Sequence, residues 1–122
     1  MNIAVLGASQ KQDRSSYQAV KRLAEAGHTV FPVHPGLDAI DGIKAYARLS
    51  DLPEPVDTVT VYLSAQNSDR LTKELVNCGA RRVIFNPGAE NTTLADRLQS
   101  SGMHVIEACT LVLLSSGEFN AA

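Results

Sequence analysis

Asn2-Ile3-Ala4-Val5-Leu6-Gly7-Ala8-Ser9 decides the fold. A short, mostly apolar run ends at once in a small-residue turn. Ser15-Ser16-Tyr17-Gln18 then reads as the opening of a helix, with Ser15 as N-cap and Gln18 completing a capping box. A buried strand, a tight loop and a helix N-terminus make an anion cradle, because free backbone N–H groups and the positive end of the helix dipole meet there. The guest such a cradle suits is a phosphate or diphosphate.

Outward from this stretch, one junction recurs. Ala26-Gly27-His28-Thr29-Val30, Cys78-Gly79-Ala80-Arg81-Arg82-Val83 and Ser101-Gly102-Met103-His104-Val105 each read as a helix closed by glycine, with a strand soon after. The chain therefore alternates strand and helix. Strands are expected at Asn2–Leu6, Thr29–Val33, Thr58–Leu63, Arg82–Phe85 and His104–Glu107, with a weak extra one near Lys44–Tyr46. Helices are expected over about 16–26, 68–78 and 92–101, the last capped by Asn91 or Thr92. The tail from Ser115 to Ala122 reads as polar and loose.

This pattern predicts an α/β fold: a doubly wound, mainly parallel sheet of five or six strands with helices on both faces. Ligands of such sheets sit at the carboxyl ends of the strands, where the winding reverses. Gly7-Ala8-Ser9, His34-Pro35, Leu63-Ser64 and Asn86-Pro87-Gly88 are expected along that rim.

Composition narrows the function. The 122 residues suit one domain and, at 44% hydrophobic, can bury a real core. Eleven Lys and Arg against thirteen Asp and Glu give a net charge of −2, which argues against a nucleic-acid binder. No apolar run has the length of a membrane span, and no signal-like segment precedes the first strand, so a cytoplasmic location is expected. Cys78 and Cys109 have no CxxC or metal spacing, and with three histidines a zinc site is not expected.

A dinucleotide site meets two objections. Only Gly7 stands where G-x-G-x-x-G is wanted. The second strand ends in Val33-His34-Pro35 and offers no carboxylate to an NAD ribose; for NADP, the nearest cations, Lys44 and Arg48, lie well past the turn. A small NAD(P)-dependent oxidoreductase, or an interaction domain that binds no small molecule, remain as alternatives.

Several stretches together resemble a known family: Val5-Leu6-Gly7-Ala8-Ser9, Val33-His34-Pro35, Gly42-Ile43-Lys44-Ala45-Tyr46, Leu49-Ser50-Asp51-Leu52-Pro53, Phe85-Asn86-Pro87-Gly88-Ala89-Glu90-Asn91 and Glu107-Ala108-Cys109-Thr110-Leu111-Val112. The chain is similar to the stand-alone CoA-binding domain proteins of bacteria, and to the CoA-binding domain of the succinyl-CoA synthetase alpha subunit. The resemblance implies a single Rossmann-like CoA-binding domain over residues 1–122 that holds coenzyme A or an acyl-CoA without catalysing a reaction. It implies that Gly7, Ala8, Ser9 and Gln10 wrap the diphosphate and that Arg14 offers charge to a phosphate; Ser15, a helix cap on the reading of the residues, can contact the ligand there as well. Val33, His34 and Pro35 would flank the adenosine, Leu63 and Ser64 would lie under the middle of the ligand, and Asn86, Pro87 and Gly88 would border its adenine or pantetheine side. The chain departs from the pattern at Ser64, where the family has proline, and at Leu37, where the synthetase has a lysine that meets CoA phosphate. No residue inherits the synthetase's phosphorylated histidine. A homo-oligomer or an unidentified protein partner is compatible with these features; nucleic acid and membrane are not.

The remaining reactive residues read plainly. Lys11, Lys73 and Glu74 are expected as solvated charges, and Glu107 as a structural pairing residue. His34 is expected to pack or hydrogen-bond, and His28 and His104 to lie on the surface. Cys78 reads as a small buried hydrophobe, and Cys109 as a rim residue that is buried and inert, with a mixed disulfide to a CoA thiol as the alternative.

Overall fold

The computed structural model describes residues 1–122 throughout. Five strands form one parallel sheet: β1 (Asn2–Leu6), β2 (Thr29–Val33), β5 (Thr58–Val61), β6 (Arg82–Phe85) and β7 (His104–Glu107), in the order β2-β1-β5-β6-β7. A separate two-stranded hairpin, β3 (Ala39–Ile40) and β4 (Ile43–Lys44), follows β2. The helices are α1 (Ser15–Glu25), α2 (Ala65–Asp69), α3 (Thr72–Asn77), α4 (Thr92–Ser100) and α5 (Thr110–Ser116).

Strand alternation sorts the side chains into two cores. Ala4, Leu6, Val59, Val61, Val83 and Phe85 meet Leu75, Leu94 and Leu98 of α3 and α4 on one face. Ile3, Val5 and Ile84 meet Val20 and Leu23 of α1 and Leu113 of α5 on the other. Burying each such side chain contributes about 1.5–3 kcal/mol, so both faces of the sheet are firmly covered. The winding reverses between β1 and β5, whose neighbours lie in opposite directions. A crevice opens at their carboxyl ends. Leu6 stands opposite both Val33 and Val61, and Val61 opposite Phe85, so the ends of β1, β2, β5 and β6 share one edge.

The structure corrects five expectations. The N-cap of α1 is Arg14, not Ser15, and no side chain caps it; Gln18 instead donates to the Gln12 carbonyl at 2.8 Å. The helix expected over 68–78 is two short ones, broken at Arg70-Leu71. The strand expected to reach Leu63 stops at Val61. The segment expected to be loose contains the end of α5, closed by Gly117 in the left-handed conformation (φ 79°), and then a buried Phe119. Arg82, itself fully buried, holds that tail: Nη1 donates to the carbonyls of Phe119 and Ala122, and the guanidinium stacks on the Phe119 ring 4.5 Å away. His28 is half-buried against Phe119 rather than on the surface. Asn91 caps α4 as expected, accepting from the Leu94 amide at 3.1 Å.

Candidate functional site

Two cavities meet over the end of β1. Gly7, His34 and Leu63 line both, so the two form one cleft with two arms. The first arm, about 590 Å³, lies against the N-terminus of α1 and takes in Ser9, Gln10, Lys11, Arg14, Ser15 and Ser16. The second, about 550 Å³, lies over β2 and reaches Arg48, Arg70 and Lys73.

Gly7 is required at the junction. Its φ is +88°, and a Cβ there would stand 2.9 Å from Leu63 Cδ2 and 3.2 Å from the Tyr62 carbonyl carbon. The Gly7 and Ala8 amides do not face an anion; both donate to the Val33 carbonyl, at 3.1 and 3.3 Å, and lace the turn to β2. The free donors come next. The amides of Ser9 and Gln10, and those of Ser15, Ser16 and Tyr17 in the first turn of α1, find no acceptor in the protein. An α-helix necessarily leaves its first N–H groups unpaired, and here that turn borders the first arm. Lys11 and Arg14 beside it form no ion pair.

His34 stands between the arms. Its Nδ1 accepts from the Gly36 amide at 3.0 Å, and its own amide donates to Tyr46 at 2.9 Å. Tyr62 walls the first arm, where burial pushes its phenol up to about 12.

Of the sequence-predicted residues, Gly7, Ala8, Ser9, Gln10, Arg14, Ser15, His34 and Leu63 line the first arm, and Val33 and Pro35 join Gly7, His34 and Leu63 in the second. Ser64, Asn86, Pro87 and Gly88 line neither. Ser64 is exposed ahead of α2. Asn86 is buried with its amide spent: Nδ2 donates to Thr60 Oγ1 and the Val61 carbonyl, and Oδ1 accepts from the Thr110 amide. Cys109 caps α5 by position, half-buried, and lines neither arm. The sequence reading sets Arg48 aside as lying well past the turn, takes Lys73 and Glu74 for solvated charges and does not single out Arg70; all four line the second arm. Arg48 reaches the cleft because Tyr46 bridges back to Val33 and turns the chain over the end of β2. Lys44 stays outside, over the Tyr46 ring.

Comparison with known proteins bears on this geometry. A family model described as a CoA binding domain matches residues 1–115. The chain belongs to the CoA-binding domain family. Within it, the chain is similar to the uncharacterised protein YneT of Bacillus subtilis, at 30% identity over 104 residues, covering 85% of this chain and 77% of that protein. It is also 30% identical over 82 residues to the alpha subunit of acetate–CoA ligase (ADP-forming) II of Pyrococcus furiosus, covering 66% of this chain and only 17% of the subunit. A crystal structure of an uncharacterised protein superposes with a TM-score of 0.91 at 36% identity, over 97% of both chains. A Thermus thermophilus protein, cell-free ID.343, superposes with a TM-score of 0.88 at 28% identity, over 97% of this chain and 90% of that one. The fold is therefore the Rossmann-like α/β fold of this family. No helix is long and apolar enough to cross a membrane.

Proposed function

We propose that the chain is a single binding module that holds coenzyme A or an acyl-CoA in this cleft and carries out no chemistry on it. The observation that carries the reading is the set of unpaired amides at Ser9, Gln10, Ser15 and Ser16, residues that line the first arm together with Lys11 and Arg14. Together they supply what a diphosphate needs: free N–H donors, the positive helix end and unpaired cations. Gly7 and Ala8 contribute closeness rather than hydrogen bonds. Val33, His34 and Pro35 would flank the adenosine part, with Leu63 beneath the ligand at the junction of the arms. Ser64, Asn86, Pro87 and Gly88 drop out of the contact set.

Family membership supports CoA as the guest, as does the likeness to a relative named as an acetate–CoA ligase subunit. His34 is not set up as a general base, because its Nδ1 accepts from a backbone amide where a carboxylate would otherwise orient the ring. Both cysteines are unpaired, which suits a reducing, cytoplasmic compartment.

Isothermal titration with CoA, NAD and NADP in parallel tests the reading. CoA should bind one to one and displace nothing from the sheet's other faces, with NAD and NADP weaker. Folded protein that gives no heat with CoA, or that prefers NAD or NADP, would overturn it.

A further inference from the structure

The second arm carries positive charge that a diphosphate at α1 leaves uncompensated. Its floor is apolar, with Leu6, Val33 and Leu63 among its residues. Around it stand Arg48, Arg70 and Lys73, drawn from two segments remote in sequence. Glu74 is the one carboxylate lining this arm, and it is occupied: it accepts from Ser50 Oγ at 3.0 Å and lies 3.5 Å from Arg48 Nε. That contact positions Arg48 and leaves Arg70 and Lys73, three residues apart, with no ion pair. Arg70 closes α2 and Lys73 lies in the first turn of α3, and two like charges lining one cavity repel.

The imbalance is local. The chain is net acidic, yet five of its eleven lysines and arginines line the two arms, against two of its thirteen carboxylates. Two cationic regions separated by an apolar floor, and joined through Gly7 and His34, complement one ligand that carries two separated anionic groups on a sugar and an apolar ring beside them. A guanidinium fork matches a terminal phosphate in particular.

We propose that Arg48, Arg70 and Lys73 form a second phosphate subsite that reads a phosphate esterified to the ribose, so that this group, and not the diphosphate alone, determines which nucleotide is retained. The proposal rests on the reading of the cleft as a CoA site, in which the group would be the 3′-phosphate of the adenosine.

Titration with CoA and with dephospho-CoA, which lacks only that phosphate, tests it on the wild type and on Arg70→Gln/Lys73→Gln. Both substituted residues are exposed and unpaired, so the variant should melt with the wild type when no ligand is present. The wild type should bind CoA at least about tenfold more tightly than dephospho-CoA, the scale of a charge-assisted hydrogen bond, and the variant should bind the two alike by losing CoA affinity only. Equal affinities in the wild type, or a variant that weakens both ligands equally, would overturn the subsite and leave the CoA reading standing. Binding of neither ligand would overturn both.

Discussion

The Gly36 amide donates to Nδ1 of His34 at 3.0 Å, and that bond fixes the tautomer of the one imidazole shared by both arms of the cleft. With Nδ1 accepting, the proton of the neutral ring sits on Nε2, and His34 meets a ligand as a hydrogen-bond donor. Replacing it with alanine removes a donor to an anionic ligand, worth about 1.5–3 kcal/mol. His34→Ala should therefore weaken CoA binding by roughly tenfold or more by calorimetry, with the melting temperature of the free protein little changed.

Gly7→Ala should cost far more than a missing methyl group suggests. The new Cβ would press on Leu63 and on the Tyr62 backbone, at a φ of +88° that L-residues adopt at a penalty of about 1–2 kcal/mol. Urea unfolding should reveal a loss of at least that size, and CoA affinity should fall because Leu63 is displaced into both arms.

Asn86 separates scaffold from contact. Its side chain ties β5, β6 and the start of α5 together through bonds of 2.7, 3.0 and 2.8 Å. Asn86→Ala orphans the buried Thr110 amide, at a cost of about 1–3 kcal/mol for that group. Denaturant midpoints should fall accordingly, while the folded protein keeps its affinity for CoA. A stable variant with lost affinity would return Asn86 to the ligand.

Asp57 gives the chain an acid-sensitive joint at the opposite edge of the sheet. Burial pushes its carboxyl up, but the Thr58 hydroxyl at 2.8 Å and Arg81 at 3.2 Å outweigh that and hold it below its ordinary value. A depressed native pKa means that the unfolded chain binds the proton first. The stabilisation is complete above the unfolded carboxylate range near pH 4 and is lost as pH falls through the native value. Melting temperatures measured from pH 6 down to about pH 3 should drop more steeply for the wild type than for Asp57→Asn, which should start lower and fall less.

What the sequence made legible was whatever local chemistry dictates. Glycines at helix ends and β-branched apolar runs marked all five parallel strands, and the loop after β1 pointed to the first arm. The misses were long-range. Thr110-Leu111-Val112-Leu113-Leu114 has no polar stripe to announce a helix, because α5 packs on α1 on one side and leaves Val112 exposed on the other. Phe119 is fixed by Arg82, 37 residues earlier, so the tail's polar composition misleads. Arg48 lies past the turn in sequence yet lines the cleft, since the Val33–Tyr46 bridge brings that segment back. Lys73 and Glu74, which look like solvated helix charges, reach the cleft because the expected single helix breaks at Arg70-Leu71 and re-aims its second half.

The most direct measurement is a CoA titration of uniformly ¹⁵N-labelled protein followed by amide chemical shifts. The largest changes should fall on the Ser9, Gln10, Ser15 and Ser16 amides, with those of Asn86 and Gly88 still. Saturable binding that leaves the β1–α1 amides unmoved, or that moves the turn after β6 instead, would contradict the placement of the diphosphate at the start of α1.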